Sequence, residues 1–253
     1  MIPTQIRQVL STIQQYDVPV LLMGGQACVL YGAAEYSRDL DLAVLATETS
    51  LPKLALAMRA LAATVIAVPR FEHQFLERGH AVHFSVPDPT AAPLRVDIMS
   101  RMRGVQPFAA LWDRRTTVML DADGTQEAIT LEVMALEDLV SAKKTQRDKD
   151  WPMIRRLVDG SYDGARDDVG TAAAIDFWLA ELRSPEFLIE CVQRFSDAAA
   201  RSRRPAVVAA LANGDIAQAL ADEQSVEMAL DKSYWLPLRR ELEALRHQAR
   251  RDP

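Results

Sequence analysis

Two aspartates early in the chain, Asp39 and Asp41, have the residue type and spacing of a metal site. The residues around them alternate between polar and apolar, which predicts a β-strand. Because side chains two residues apart on a strand point the same way, both carboxylates face one side while Leu40 and Leu42 pack on the other. Adjacent carboxylates repel each other unless a cation neutralises them, and their hard oxygens suit Mg²⁺. The pair therefore predicts a divalent-cation site.

A third aspartate, Asp97, lies within the strand that Leu94–Met99 predicts. A buried carboxylate without a partner is strongly unfavourable, so we expect Asp97 to have one, and a metal ion is the simplest candidate. Sites with two ions hold them about 3.5–4 Å apart, so at least one carboxylate must bridge both and a third helps. The sequence thus offers Asp97 as the third acidic ligand.

The dipeptide Gly24-Gly25 separates a strand-like apolar run, residues 18–23, from a short helical segment. Glycines let a backbone approach a phosphate closely, and a helix N-terminus directs N–H groups towards it. Ser37 lies two residues before Asp39 and faces the same side if the strand begins early. A phosphate contact and a turn-forming role are both open for Ser37.

The order of these features resembles the nucleotidyltransferase superfamily typified by DNA polymerase beta. Within it, the chain is most similar to bacterial minimal and AbiEii-toxin-like members. The resemblance covers about residues 1–158. It depends on the stretches Gly24-Gly25, Asp39-Leu40-Asp41-Leu42 and Val96-Asp97-Ile98.

The resemblance implies a role for each matched residue. Gly24 and Gly25 would hold the triphosphate of a nucleotide, while Asp39 and Asp41 would bind two Mg²⁺ ions. Asp97 would be a further metal ligand and the general base. The second glycine departs from the family pattern, because many members carry a serine hydroxyl there.

A basic segment, residues 136–150, resembles the distal motif of the same bacterial group, which closes the nucleotide site. Lys143 and Arg147 are four residues apart, which predicts that they share one helix face and neutralise the triphosphate. A solvated helix end, favoured by the helix dipole, is the alternative, and it applies most to Lys144 and Lys149.

With 253 residues, 49% of them hydrophobic, the chain suits one large domain or two modest ones. Strand-like and helix-like segments alternate up to a turn-rich stretch, after which helical patterns prevail. We therefore predict an α/β (α+β) nucleotidyltransferase fold with a mixed sheet in residues 1–158, a linker at 159–170 and an α-helical domain at 171–253. The predicted strands are 18–23, 39–44, 81–86, 94–99, 116–120 and 129–133, with a turn at Asp123-Gly124, and the last predicted helices are 215–230 and 235–250.

Several kinds of protein do not fit this sequence. No apolar run approaches the roughly 18–20 residues needed to cross a bilayer, and the start lacks the pattern of a secretion signal. Two cysteines cannot form a disulfide framework, so we expect a cytoplasmic protein with no membrane partner. The spacing of His73, His80 and His83 fits no standard zinc site, and surface or core roles are favoured.

The expected function is Mg²⁺-dependent transfer of a nucleoside monophosphate from an NTP such as ATP to a hydroxyl-type acceptor, with release of pyrophosphate. The acceptor (RNA such as tRNA, a protein or a small molecule), the preferred NTP and the oligomeric state stay open, as does a toxin-like role. The alternative is a non-catalytic nucleotide- or partner-binding module of a toxin–antitoxin type system. Simple solvated aspartates on an edge strand and a decayed site are two further alternatives.

Overall fold

The computed structural model describes residues 3–89, 91–121, 128–167 and 169–251. Its helices are α1 (Thr4–Gln15), α2 (Gly24–Leu30), α3 (Ser50–Ala60), α4 (His73–Arg78), α5 (Phe108–Arg114), α6 (Leu136–Lys143), α7 (Trp151–Gly164), α8 (Ala172–Glu181), α9 (Pro185–Arg194), α10 (Ser196–Ala199), α11 (Pro205–Leu211) and α12 (Ile216–Arg251), with a 3₁₀ turn at Asp148–Asp150. Its strands are β1 (Val20–Met23), β2 (Leu40–Val44), β3 (Thr64–Val65), β4 (Val82–Val86), β5 (Leu94–Met99), β6 (Thr116–Leu120) and β7 (Ile129–Val133).

The chain divides into two compact units. The first consists of Met1–Leu30, Ala34–Ala142 and Trp235–Pro253, and the second of Tyr31–Ala33 and Lys143–Tyr234. The domain boundary predicted at residues 159–170 concerns which parts fold independently, and it stays a prediction.

The first unit is built on a seven-stranded sheet in the order β3-β4-β5-β2-β1-β7-β6. Strands β1 and β7 pair in parallel, as do β2 and β5, while the remaining neighbours are antiparallel. The predicted mixed sheet with flanking helices and a helical C-terminal region is therefore confirmed. The turn predicted at Asp123-Gly124 lies outside the described residues.

The centre of the sheet is the core of this unit. All four residues of β1 are buried, and the apolar residues of β2 and β5 that alternate with polar ones are fully buried as well. Helix α1 places Ile6, Val9, Leu10 and Ile13 on its buried face, in the spacing of an amphipathic helix. This buried centre holds β1, β2 and β5 side by side in the sheet.

The end of helix α12 also belongs to the first unit, where Glu241 contacts the last residue of α4, Arg78, and nearby His80. The carboxylate of Glu241 accepts hydrogen bonds from Arg78 and from the buried ring of His80, whose Nε2 lies 2.8 Å away. The hydrogen bond from His80 lowers the pKa of Glu241 and, together with that from Arg78, outweighs the opposing effect of burial. Glu241 therefore stabilises the fold in its ionised form.

We expect Glu241→Gln to lower the free energy of unfolding by about 1 kcal/mol at pH 7. Because the pKa of Glu241 is lower in the folded protein, its contribution is complete above the ordinary glutamate pKa and is lost as the pH falls through the folded value. Urea denaturation of wild type and variant between pH 7 and pH 3 measures this. Glu243→Gln, at an exposed position of the same helix, is the control. A difference in unfolding free energy between wild type and Glu241→Gln that persists at pH 3 would contradict a role for the ionised carboxylate.

The second unit is formed by α7 to α11 and residues 216–234 of α12. The ring of Tyr162 is fully buried, with its centroid 5.4 Å from that of Trp178 and 5.8 Å from that of Phe187. A second cluster is ionic: Glu223 pairs with Arg183 at 3.3 Å and with Arg204 at 3.0 Å. Aromatic packing and buried ion pairs together hold these helices against one another.

Two local predictions in the C-terminal half are wrong. Residues 159–164, predicted to be a turn-rich stretch, are instead the last turns of α7, in which Tyr162 is buried. The two predicted helices 215–230 and 235–250 are one helix, α12, which continues through Pro237. In the described part of the chain, no helix has the length and apolar character needed to cross a membrane.

Candidate functional site

Asp41 and Asp97 lie side by side in the sheet. Strands β2 and β5 are parallel neighbours, and their register pairs Asp41 directly with Asp97. Paired residues on adjacent strands point to the same side of a sheet, and adjacent strands are about 4.8 Å apart. The two carboxylates therefore share one face, although they are 56 positions apart in the sequence.

Asp39 immediately precedes β2 and contributes its charge to the same region. The negative charges of all three aspartates raise the pKa of one neighbouring side chain, the guanidinium of Arg95. Its pKa is raised mainly by its hydrogen bond to Asp97 and, against the effect of burial, by the negative charges of Asp97, Asp39 and Asp41. Asp41 and Asp97 thus form an acidic site on one face of the sheet, and Asp39, which precedes the strand, adds its negative charge near Arg95.

The glycine turn lies against this acidic site because Met23, the last residue of β1, pairs with Asp41. Gly24 follows with a φ of +65°, and a Cβ atom placed on it would overlap the carboxylate of Asp41. The backbone N–H of Gly25 donates to Oδ2 of Asp41 at 3.3 Å. Only glycine combines this backbone conformation with so close an approach of the carboxylate.

Ser37 is also brought to the glycine turn. Its hydroxyl occupies the space that a Cβ atom on Gly25 would need, and it donates to the backbone oxygen of Asp39 at 3.2 Å. The side chain of Gln26 in turn donates to the backbone oxygen of Ser37 at 2.8 Å. A hydroxyl therefore stands next to the second glycine, at the place where many members of the family resembled carry a serine.

Asp97 has the partner expected of a buried carboxylate, but in this structure the partners are two protein side chains, and metal binding at Asp97 stays a prediction. Arg95 donates from Nε to Oδ1 at 2.8 Å and from Nη2 to Oδ2 at 3.0 Å. His83, opposite Asp97 on the antiparallel strand β4, lies with Nδ1 2.8 Å from Oδ1. The spacing of Arg95 and Asp97, two residues apart on one strand, could have revealed the first partner; the second needed the register of β4.

These partners fix the charge of Asp97. Burial alone would raise the pKa of this carboxyl, whose side chain is 15% exposed. The hydrogen bonds from His83 and Arg95, with the charges of both, outweigh burial and hold the pKa below its ordinary value. Asp97 is therefore ionised near neutral pH, as a metal ligand or a proton acceptor must be.

Lys143 and Arg147 belong to the second unit, and they do not share a helix face as predicted. Helix α6 ends at Lys143, and Arg147 precedes the 3₁₀ turn. Both side chains instead contact Asp150, Lys143 at 3.4 Å and Arg147 at 2.7 Å. Asp150 is only 1% exposed, and a buried carboxylate requires such cationic partners. The next residue, Lys144, pairs with Glu181 at 2.6 Å rather than forming a solvated helix end.

Carboxylate oxygens are the donors that Mg²⁺ prefers, so the composition of the acidic site fits a divalent cation. The side chains of the acidic site are not arranged as a complete set of metal ligands. Among the described residues, no group of three or more His, Cys, Asp or Glu side chains is placed to hold a metal ion. The obstacle is visible at Asp97, where Arg95 bonds to both carboxylate oxygens. A metal at Asp97 would therefore compete with Arg95 for the carboxylate.

A cavity of about 520 Å³ lies elsewhere in the first unit, and its lining includes Val20, Leu45, Trp112 and Glu132. Val20 is the first residue of β1 and pairs with Val44, the last residue of β2, whereas Met23 and Asp41 pair at the other end of the same strands. The cavity is therefore at the opposite end of the sheet from the acidic site.

Comparison with known proteins gives only distant likenesses. No family model and no curated protein matches the sequence. Among solved structures, the chain is similar to an antigenic nucleotidyltransferase-like protein from Paracoccidioides brasiliensis, with 16% identity and a TM-score of 0.44 over 78% of this chain and 89% of that one. It is also similar to ANT(2")-Ia in complex with adenylyl-2"-tobramycin, with 12% identity and a TM-score of 0.35 over 77% and 97% of the two chains. Likenesses with TM-scores under 0.5 leave the function to be inferred from the site itself.

Proposed function

We propose that this protein is a nucleotidyltransferase that uses a divalent cation to move a nucleoside monophosphate from an NTP, such as ATP, to a hydroxyl of an acceptor. The observation that supports this most is the pairing of Asp41 with Asp97 on adjacent strands, with the Gly24 turn against the Asp41 carboxylate. Carboxylates beside a backbone that only glycine can form suit a cation and a phosphate chain at one place.

In this proposal Asp39, Asp41 and Asp97 hold two Mg²⁺ ions. When bound, the ions would lower the pKa of the acceptor hydroxyl and neutralise charge on the triphosphate and the leaving oxygen. The backbone of Gly24 and Gly25 would contact the phosphates. Positioning and charge neutralisation would supply most of the rate enhancement, as for phosphoryl transfer in general.

One further side chain of the first unit belongs to the proposed nucleotide site. Ser37 would donate its hydroxyl to a phosphate oxygen in place of the serine missing at position 25. Neutralisation of the triphosphate by Lys143 and Arg147, which the resemblance implies, stays a prediction from the sequence. Of the two side chains, that of Arg147 is 56% exposed and that of Lys143 is 10% exposed.

The reaction would form a bond between the acceptor oxygen and the α-phosphorus and break the bond from that phosphorus to the bridging oxygen, so that pyrophosphate leaves. The proton of the acceptor hydroxyl would go to Asp97. The acceptor would be an RNA such as tRNA, a protein or a small hydroxyl compound such as an antibiotic. A toxin-like role of the AbiEii kind, in the cytoplasm, is part of the same proposal.

The test incubates the protein with each α-labelled NTP, Mg²⁺ and separate pools of tRNA, protein and small hydroxyl compounds. We expect label to transfer to one pool and the transfer to disappear in an Asp39→Ala/Asp41→Ala variant. Transfer that survives in this variant would contradict the proposed site.

A second candidate is a module that binds nucleotide or a protein partner without turnover. The contacts of Arg95 and His83 with Asp97 favour it, because they occupy the carboxylate that a metal would need. Under this alternative the labelled NTP binds in equilibrium dialysis but no acceptor pool becomes labelled, and EDTA has no effect on binding.

A further inference from the structure

We infer that Arg95 is a tethered counter-ion of the acidic site: it neutralises Asp97 before a divalent cation binds, leaves Asp97 when the cation enters, and thereby couples cation binding to nucleotide binding. The inference rests on the proposed function for the identities of cation and nucleotide. It adds a positioning residue and an order of events that the three aspartates alone do not provide.

The geometry makes Arg95 and a cation competitors for Asp97. The guanidinium bonds to Oδ1 at 2.8 Å and to Oδ2 at 3.0 Å, so both carboxylate oxygens are engaged. Such a bidentate pair is one of the stronger charge-assisted interactions in proteins. A divalent cation bound to the same oxygens would lie within a few ångströms of a positive charge, where Coulomb repulsion is large. We therefore expect the pair to open when Asp97 binds a metal.

Arg95 is free to move once the pair opens. Its side chain is 45% exposed, whereas that of Asp97 is 15% exposed, so the guanidinium can swing into solvent while the carboxylate stays in place. Nδ1 of His83 lies 3.1 Å from Nη2 of Arg95 and 2.8 Å from Oδ1 of Asp97, so His83, on the adjacent strand, keeps Asp97 as a neighbour when Arg95 leaves. The release of Arg95 thus needs no change in the sheet.

A released guanidinium is a good ligand for phosphate, because its fork of N–H donors matches phosphate oxygens. The nucleotide therefore gives Arg95 a new partner at the moment the cation displaces it from Asp97. Without nucleotide, the apparent affinity for the cation is reduced by the fraction of molecules in which the pair is closed. By linkage, cation and nucleotide must then strengthen each other's binding.

The test measures Mn²⁺ binding by electron paramagnetic resonance, with and without a non-hydrolysable NTP analogue. For the wild type we expect the analogue to tighten Mn²⁺ binding. For Arg95→Met, which keeps the length of the side chain without its charge, we expect Mn²⁺ alone to bind about tenfold more tightly than to wild type, with a smaller effect of the analogue. Arg59→Met, on an exposed face of α3, makes the same change in net charge and is expected to behave as wild type.

The outcomes separate the two proposals. If wild type binds Mn²⁺ but Arg95→Met binds it no more tightly, the counter-ion role is overturned and the proposed function stands. If neither protein binds Mn²⁺ with or without the analogue, the proposed function itself fails. Thermal unfolding of all three proteins accompanies the titrations, and Arg95→Lys, which keeps the charge but not the fork, is expected to lie between wild type and Arg95→Met.

Discussion

Asp41→Asn is expected to lower the rate of nucleotidyl transfer by about a thousandfold. Asp41 stands between the other parts of the site: it pairs with Asp97 across the sheet, and its Oδ2 accepts the N–H of Gly25. Asparagine has nearly the same shape and keeps an oxygen for that N–H, so the substitution removes the charge and little else. The measurement is the rate of label transfer to the acceptor identified in the assay above.

The fold should tolerate this substitution, because removing one of two neighbouring carboxylates relieves their repulsion. We therefore expect the free energy of unfolding in the absence of metal to be unchanged or slightly higher. Asp113→Asn, at an exposed position of α5, makes the same chemical change away from the site and should retain full activity. An Asp41→Asn variant with near wild-type transfer would show that this carboxylate is not part of the reaction.

Gly24→Ala is expected to have the second largest effect, on both activity and stability. The φ of +65° costs an alanine about 1–2 kcal/mol, and the new methyl group would overlap the Asp41 carboxylate and push it away from Asp97. We expect a loss of about 2–4 kcal/mol in the free energy of unfolding, and at least about a hundredfold loss in transfer because the carboxylate is displaced.

The chain contains a matched control for this prediction. Gly104 has a φ of +71°, and a Cβ atom placed on it would meet nothing within 4 Å. Gly104→Ala thus carries the backbone cost without the overlap, and the difference between the two variants in urea denaturation isolates the contact with Asp41. If both variants lose the same stability and Gly24→Ala retains transfer, the Asp41 carboxylate moves aside without loss of stability or activity, which would contradict the prediction.

The placement of Asp41 on the sheet could be predicted from sequence because it depends on local rules. The alternation of Leu40, Asp41 and Leu42 fixes which side of the strand the carboxylate faces. The same rule applies to Val96, Asp97 and Ile98 on β5. Once both strands are buried in one sheet, their apolar residues must face the core, and the two aspartates must share the other side.

What sequence could not supply is the register between strands and the ends of helices. His83 meets Asp97 only because β4 pairs with β5 in one particular register, which no local pattern encodes. The two-residue repeat of a strand predicts that Arg95 and Asp97 face the same side of β5. It does not predict that the two bind each other, because this depends on the rotamer of the long arginine side chain. Helix α6 likewise ends at Lys143, so that Lys143 and Arg147 reach Asp150 from outside a common helix, and no residue pattern marked that end.

The most direct measurement is a crystal structure with Mn²⁺ and a non-hydrolysable NTP, in which anomalous scattering locates the metal. We expect anomalous peaks bound by Asp39, Asp41 and Asp97, the phosphates against Gly24, and the guanidinium of Arg95 turned from Asp97 to a phosphate. A nucleotide bound with no metal at these aspartates, and with Arg95 still on Asp97, would contradict a metal-dependent transferase at this face of the sheet.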